Sequence, residues 1–326
     1  MMKKDVTRQD CPECTSGMSR RRFLGTTAGA AAAVTASPLL ATAAPTPKSA
    51  AETAVARLYK SLSSEQKEVV VLPFSDKRRT QINPNWSITK AKIGTFFNKE
   101  QQATITEIVK GVTSEDGFER FQKQMQDDWG GFGRYTVAIF GDPAKTPFEF
   151  ELTGRHLTLR ADGNTIEGTA FGGPIIYGHS KRGNSKQNLF SYQTKRANEV
   201  FEALDGKQRE KALLEKAPKE TAVQLREDVS ALPGISGADL SDDQKKLVLA
   251  VLKDIMKPYR SEDVDEVMEI VKAGGGIERL QIAFYKSGDL DKDENWDIWR
   301  LEGPTLVCHF RGAPHVHAYI NVAKRS

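Results

Sequence analysis

The sequence predicts an α+β fold that contains an internal duplication, in which each half has helices followed by an antiparallel β-meander. The first observation is that apolar residues recur at helical spacing after an N-cap residue in residues 97–112 and again in 240–255. The second is that strand-like runs follow each helical region, after a glycine break at Gly130-Gly131 or at Gly274–Gly276. The third is that these features recur in the same order, which is typical of a repeated unit.

Matched features of the two halves are separated by a nearly constant number of residues. Ser114 and Ser261 are 147 residues apart, and Arg134 and Arg279 are 145 residues apart. We therefore expect two repeats that pack around a pseudo-twofold axis, with two independent domains on a string as the alternative. The predicted boundaries, in chain order, are a signal at 1–43, a linker at 44–51, a first repeat at 52–171, an inter-repeat loop at 172–197 and a second repeat at 198–322.

The chain begins with a predicted export signal. Ser19-Arg20-Arg21-Arg22-Phe23-Leu24 matches the twin-arginine pattern, and Ala41-Thr42-Ala43 is a small-x-small cleavage site. The stretch between them is short and rich in Ala, Thr and Gly, which disfavours a membrane span. We expect the twin-arginine translocase to deliver the protein to the periplasm or the cell exterior, with no stable span once the signal is cleaved. An uncleaved anchor is the alternative.

The composition is that of a soluble globular protein, with 39% hydrophobic and 28% charged residues. The formal net charge is +4, of which the predicted signal contributes +3 from six basic and three acidic side chains, so the mature chain is near +1. This balance disfavours nucleic acid as a partner. Cys11 and Cys14 lie in the signal, so Cys308 remains alone and no internal disulfide is expected.

In the first half, capping residues start the helices and alternating residues mark the strands. The predicted elements, in order, are helices at 97–112 and from Ser114, strands at 134–140 and 148–152, and a hairpin that starts at Gly154, turns at Asp162-Gly163 and returns through 165–169. In this hairpin His156 and Glu167 are predicted to share one face, because side chains alternate along each strand.

The second half repeats this order and ends in a histidine-rich hairpin. Its predicted elements are helices at 240–255 and from Ser261, strands at 279–285 and 296–301, and a hairpin that starts at Gly303. In the hairpin the apolar residues face the core, and the opposite face carries His309, Arg311, His315, His317 and Tyr319. If the turn centres on Ala313, His309 lies across from His317 and Arg311 across from His315. A slip of one residue would break up this cluster.

The histidines of the hairpins predict a metal site. His315 and His317 project the same way from one strand, about 7 Å apart along it. Several imidazoles together suit zinc or copper. We expect His156, His179 or His309 to complete the ligand set, with Glu167 as the candidate catalytic base of a metal-dependent enzyme.

Other interpretations of the same face stay open. Arg311, Tyr319 and Arg155 are the candidate substrate-binding residues, and Arg311 also favours a site for an anionic or organic ligand in place of a metal. A solvated strand face without any small ligand is a further interpretation. The sequence contains no GxSxG, Walker or dinucleotide-binding motif, so it does not predict the enzyme classes that use them.

Four short segments carry a resemblance to a known family. They are Leu152-Thr153-Gly154-Arg155-His156-Leu157, Phe171-Gly172-Gly173, Gly303-Pro304-Thr305 and His315-Val316-His317. On these segments the chain resembles the bacterial family called Domain of Unknown Function 3500, over about residues 52–322. The resemblance implies a bacterial exported protein and brings no activity with it.

Two functional hypotheses follow from these patterns. The first is a metal-binding protein or a metal-dependent hydrolase or oxidoreductase, outside the cytoplasm, that uses the histidine face of the last hairpin. The second is a non-catalytic module that binds a small organic or anionic molecule or a component of the cell envelope. Exposed aromatic rings among Trp296, Trp299, Tyr319 and Tyr177 would be the sign of the second hypothesis.

Overall fold

A computed structural model describes residues 44–226 and 229–324, and in this part of the chain one sheet of eleven strands packs with nine α-helices. The predicted α+β class is confirmed. The described residues belong to one compact unit. The predicted signal, with Cys11 and Cys14, lies outside the described residues.

Four of the helices begin with a capping box, in which the N-cap side chain and the glutamine three residues later satisfy each other's backbone N–H groups. The N-cap residues of these four are Ser63, Asn98, Asp205 and Ser241. The helices are α1 (Ala50–Ser61), α2 (Ser64–Val70), α3 (Ile93–Phe96), α4 (Lys99–Gly111), α5 (Glu115–Trp129), α6 (Ser191–Glu202), α7 (Gly206–Ala212), α8 (Asp242–Met256) and α9 (Ser261–Ala273).

The strands form a single sheet in which the two halves of the chain lie side by side. They are β1 (Val71–Leu72), β2 (Thr136–Gly141), β3 (Phe148–Gly154), β4 (Leu157–Ala161), β5 (Ile175–Arg182), β6 (Leu213–Leu214), β7 (Ile235–Ser236), β8 (Gln281–Tyr285), β9 (Ile298–Glu302), β10 (Leu306–Arg311) and β11 (His315–Val322). Their spatial order is β1-β2-β3-β4-β5-β11-β10-β9-β8-β6, with β7 beside β8. β1–β2 and β6–β8 are parallel and the other pairs are antiparallel.

The two faces of the sheet differ in what covers them. One face packs against the helices and forms the main core, which includes Leu152, Tyr177, Trp299 and Cys308. Smaller apolar clusters on the other face involve loop residues such as Trp86 and Val223, and charged and histidine side chains lie between these clusters. The second face therefore offers polar groups that are buried yet close to loops, where a ligand can enter.

The last hairpin has a different register from the predicted one. His309 lies opposite Tyr319, and Arg311 lies opposite His317. The shift is two residues, so the predicted face is kept while the cross-strand partners change. The turn is longer than predicted because the backbone N–H of Gly312 donates to the carbonyl of Asp297 on the β9 side (2.7 Å), which delays the reversal.

Two segments differ in secondary structure from the prediction. Residues 172–197, predicted as a loop, contain β5 and the first turns of α6. Their polar composition was misleading, because β5 is apolar only over its first half. Residues 165–169 form no return strand, since Asp162 Oδ2 accepts the backbone N–H of Thr165 (3.1 Å) and continues the turn. The strand that pairs with β4 is therefore β5.

Candidate metal centre

Three histidines from distant parts of the described sequence meet at the centre of the sheet. We call His156, His315 and His317 the histidine triad. One ring nitrogen from each lies within 4.8 Å of the others. His315 Nε2 is 3.0 Å from His317 Nε2, and the ring centroid of His156 is 4.7 Å from that of His317.

The strand order explains how the triad assembles. His315 and His317 are alternate residues of β11, whereas His156 occupies the tight turn between β3 and β4 with a left-handed backbone (φ 59°). Gly178 on β5 pairs with His317, and a Cβ atom there would lie 3.1 Å from His317 Cδ2 and 3.3 Å from His156 Cβ. The missing side chain of Gly178 is what leaves room for the two rings.

A buried carboxylate orients His156. Asp128, near the end of α5, has a fully buried side chain whose Oδ2 lies 2.7 Å from His156 Nδ1. Gln124 Nε2 donates to the same oxygen (2.9 Å), and the backbone N–H of Ser180 donates to Oδ1 (3.0 Å). Burial raises the pKa of Asp128, but these hydrogen bonds outweigh it and hold the pKa well below its usual range. An ionised Asp128 places the proton of His156 on Nδ1 and leaves Nε2 as the acceptor.

A second carboxylate stands behind His317. Glu220 Oε2, from the loop after β6, lies 3.3 Å from His317 Nδ1 and 3.1 Å from Arg311 Nε. Burial alone would raise the pKa of Glu220, but the hydrogen bond with His317 and the charge of Arg311 lower it to about 2. His317 thus also has its Nδ1 next to an anion and its Nε2 directed at His315.

The two histidines of β11 are neutral at neutral pH. Burial, together with the neighbouring cationic groups, lowers the pKa of His315 and of His317 to about 4. A neutral imidazole has a free lone pair, which is the form that binds a metal ion. His315 and His317 therefore present nitrogen lone pairs without first losing protons.

The triad is buried on one side and open on the other. His156 and His317 are buried, while His315 is partly exposed. Arg311 Nη2 lies 3.3 Å from His315 Nε2, at the open side. A small molecule reaching the triad would therefore meet His315 and Arg311 first.

These groups could hold one metal ion. Nitrogens that bind the same zinc ion at about 2.0–2.1 Å are themselves about 3 Å apart, which is close to the separation of the Nε2 atoms of His315 and His317. Three histidine ligands, two of them with a carboxylate behind the ring, are a donor set that suits zinc or copper.

His179 lies outside the triad, contrary to its role as a candidate ligand. Its Nδ1 accepts the backbone N–H of Leu189 (3.2 Å), and its Nε2 is 3.1 Å from Asp127 Oδ2. Both ring nitrogens are therefore in use, and the buried ring links β5 to α5 and to the loop before α6.

His309 also lies apart from the triad, although it shares the same face of the sheet. It sits between Arg300 on β9 and Tyr319 on β11, and its ring centroid is 6.3 Å from that of Tyr319. The described residues bring no third metal-binding group close enough to form a ligand set with it.

Glu167 is far from the triad, so the structure does not support it as a catalytic base. It is exposed in the turn after β4. The carbonyl of the next residue, Gly168, accepts the backbone N–H of Lys324 (2.6 Å), which lies just beyond the C-terminal end of β11. His315 and His317 are at the other end of that strand, about 20 Å away at the usual rise per residue.

The candidate substrate-binding residues have different positions. Arg311 lies at the opening, and the hydroxyl of Tyr319 is 3.4 Å from His317 Nδ1, behind the triad and buried. Arg155 precedes His156 in the β3–β4 turn, and its carbonyl accepts hydrogen bonds from Gln124 and Tyr135. Arg155 therefore contributes its backbone to the support of His156.

Sequence reasoning missed the residues behind the triad. Asp128 follows Asp127 near the end of a helix, and Glu220 lies in a polar loop, so neither stands out by spacing. A local signal for the triad itself is Gly178 inside a strand, because glycine in a strand often marks a position where other groups approach the backbone closely. The four aromatic rings proposed for an organic-ligand cleft, Trp296, Trp299, Tyr319 and Tyr177, are all buried.

No helix in the described residues is both long and apolar enough to cross a membrane.

Comparison with known proteins identifies the family to which the chain belongs. No curated protein and no solved structure matches the chain. The family described as "Protein of unknown function (DUF3500)" matches residues 44–322, which is most of the chain and confirms the resemblance seen in its motifs. The chain therefore belongs to the DUF3500 family.

Proposed function

We propose that this chain is an exported protein that binds one transition-metal ion, zinc or copper, on the histidine triad. One observation carries the proposal: the imidazoles of His156, His315 and His317 converge, with one ring nitrogen of each within 4.8 Å of the others. Three buried or half-buried imidazoles in mutual contact have few other uses, because neutral rings gain little from one another.

The carboxylates behind the triad support metal binding. Histidines that bind metals usually donate their other ring N–H to a carboxylate or carbonyl, which fixes the tautomer and strengthens the ligand. His156 does this with Asp128, and His317 does it with Glu220. A solvated strand face without a ligand would not need two such partners, of which Asp128 has a fully buried side chain.

Arg311 supports an anionic ligand at the same place. Three protein ligands leave a further coordination position open, as in catalytic zinc sites. Arg311, beside His315 on the exposed side, would attract a small organic anion to that position. Hydrolysis is a second candidate, because a bound ion would lower the pKa of a water molecule there. Both nearby carboxylates already accept hydrogen bonds from the triad, so neither is a free base.

Export is part of the proposal and depends on the sequence. The twin-arginine pattern at residues 19–24 and the small residues at 41–43 support transport by the twin-arginine translocase to the periplasm or beyond. Folded export would allow the ion to be loaded before transport. A test is to replace Arg20, Arg21 and Arg22 with lysine, which should retain the protein in the cytoplasm, and to sequence the N-terminus of the exported form.

We also infer that the two halves are repeats of one ancestral unit. Gln66 and Gln101, the capping glutamines of α2 and α4, hydrogen-bond through their side chains (3.0 Å). Gln208 and Gln244, 142 and 143 residues later, form the same bond between α7 and α8 (3.1 Å). Each half also places a short parallel strand at one edge of the sheet, which supports a pseudo-twofold arrangement.

The metal proposal is tested by elemental analysis of the purified protein and by titration of the metal-free form. We expect about one zinc or copper ion per chain and none in a His315→Ala/His317→Ala variant. Asp128→Asn should weaken binding about 10- to 100-fold, the usual effect of removing a carboxylate behind a ligand.

Asp127→Asn is the matched control, because the adjacent carboxylate serves His179 and lies outside the triad. It should leave metal affinity unchanged. Wild-type protein that takes up no stoichiometric transition metal, in the native form or on titration, would rule out the metal-binding function.

A further inference from the structure

The loop between β8 and β9 has oxygen-bearing side chains at every second position. They are Asp289, Asp291, Asp293, Asn295 and Asp297. Calcium loops of the EF-hand type take their ligands from positions 1, 3, 5, 7 and 9, with the backbone carbonyl at position 7 and often a water at position 9. Counting from Asp289, the five residues occupy these positions.

The backbone of the loop turns sharply, with left-handed residues at Asp291 (φ 70°), Lys292 (φ 55°) and Glu294 (φ 58°). Glu294 occupies the sixth position, where EF-hand loops have a glycine for a sharp turn. The two carboxylate oxygens of Asp289 accept the backbone N–H groups of Asp293 (3.3 Å) and Glu294 (3.2 Å). The side chain of Asp289 therefore lies inside the loop that follows this residue.

Asp297 gives an independent indication of a cation. The residue is only 1% exposed, and its Oδ2 accepts the backbone N–H of Leu290 (2.8 Å), which directs the carboxylate into the loop. Its Oδ1 is buried and has no hydrogen-bond partner among the described residues. A buried carboxylate oxygen without a partner costs free energy, and a cation would supply the missing interaction.

The charges around Asp297 make this need stronger. The carboxylates of Asp293 and Asp289 lie close enough to repel the charge of Asp297, and a cation would relieve this repulsion. The carboxylate of Asp291 contacts Arg182 and Asn184 instead. These contacts are exposed and contribute little to stability, so Asp291 could give them up to bind a cation.

We propose that the loop from Asp289 to Asp297 binds a calcium ion, independently of the histidine triad. Calcium is preferred over magnesium because an irregular loop of several oxygen-bearing residues suits the six to eight ligands that calcium takes, whereas magnesium demands a near-ideal octahedron. The twelfth position, which supplies a bidentate glutamate in an EF-hand, is Arg300 on β9, so one strong ligand is missing. We therefore expect weak binding, with Kd about 10⁻⁴–10⁻³ M, as in extracellular calcium modules.

The test uses the full mature chain and two probes, calcium in a calorimetric titration and terbium in a luminescence titration. Trp296 lies within the loop and should sensitise bound terbium, and calcium should displace that signal. We expect one site per chain. Asp289→Asn and Asp297→Asn should each weaken calcium binding at least tenfold, since each removes a charged ligand while keeping an oxygen for the loop hydrogen bonds.

Two controls separate this site from other causes. Asp242→Asn/Asp243→Asn removes two highly exposed carboxylates at the start of α8 and should change nothing. The His315→Ala/His317→Ala variant should keep the terbium signal, because the loop does not use the triad. No saturable calcium binding up to about 10 mM, ten times the weakest expected Kd, would overturn the proposal. Equal affinity in wild type and in folded Asp297→Asn, checked by circular dichroism, would overturn it as well.

Discussion

His309 shares the sheet face of the triad, yet its Nδ1 is buried without a hydrogen-bond partner among the residues that the structure describes. Burial and the positive charge of Arg300 lower its pKa from 6.5 to about 3. The ring is therefore neutral in the folded protein across the physiological range. In the unfolded chain it would regain its ordinary pKa and take up a proton below about pH 6.5.

This difference predicts how stability depends on pH. Between about pH 3 and pH 6.5 the unfolded state binds one more proton at this position, so the contribution of His309 to the free energy of unfolding rises with pH. Relative to a His309→Gln variant, metal-free wild type should gain about 1.4 kcal/mol per pH unit below pH 6 and then level off above pH 7.

Urea denaturation of both proteins at pH 5, 6, 7 and 8, with a chelator present, measures this difference. Buried carboxyls with raised pKa, such as Asp162 and Asp263, have the opposite pH dependence, but they are common to both proteins and cancel. A difference between the two proteins that does not change from pH 5 to pH 7 would contradict the prediction.

At the scale of elements, β5 brings His156 next to His315 and His317. It pairs with β4 on one side and β11 on the other, and Gly178 faces both His156 and His317. A methyl group at this position would also lie 2.3 Å from the carbonyl oxygen of Val316. The strands would then have to move apart or the rings would have to turn away.

Gly178→Ala adds only one methyl group, but it should displace the rings of the histidine triad and lower the stability of the protein. We expect a loss of about 1–3 kcal/mol in the free energy of unfolding, as for overpacked cores, together with the loss of metal binding. Gly206→Ala is the control, because a Cβ there meets nothing within 4 Å. It should leave stability unchanged or slightly raised. Normal metal affinity in a folded Gly178→Ala protein would disprove the role of this glycine.

The strands and helices were predictable where the local signals are strong. The runs at 134–140 and 148–152 became β2 and β3, since alternation and glycine breaks act locally. The register of the last hairpin was not predictable, because it depends on the bond from Gly312 to Asp297 on another strand. The observed register differs from the predicted one by two residues, and an even shift keeps every side chain on its predicted face. The pair His315 and His317 was therefore predicted correctly, although the predicted cross-strand partners were wrong.

The rest of the site depends on contacts between distant parts of the chain. The prediction of Glu167 as a base required a return strand that the turn at Asp162 prevents. His179 is also a histidine of these strands, but its ring nitrogens bond to Leu189 and Asp127, and no pattern in the sequence indicates these contacts. Spacing identifies which residues share a face, whereas the order of strands in the sheet decides which faces meet.

At the scale of the whole molecule, a buried charge cluster ties the first helix to the second half of the chain. Arg260, at the start of α9, binds the carboxylate of Glu52 on α1 through both terminal nitrogens (2.7 and 3.1 Å). It also binds Asp263 (2.9 Å). These side chains are almost fully buried, so each charge depends on the others for compensation. The cluster opposes separation of the N-terminal helix from the rest of the body.

Glu52→Gln should destabilise the whole protein, because it removes one of two anions that compensate a buried guanidinium. Breaking a buried pair typically costs 3–5 kcal/mol, and the remaining Asp263 should limit the loss here to about 2 kcal/mol. Glu107→Gln is a matched change, since Glu107 pairs with Arg57 on the surface, where both side chains are more than half exposed. It should cost less than about 1 kcal/mol. Chemical denaturation followed by fluorescence and by circular dichroism should show one transition that shifts only in Glu52→Gln; equal shifts in the two variants would show that the buried cluster does not join the halves.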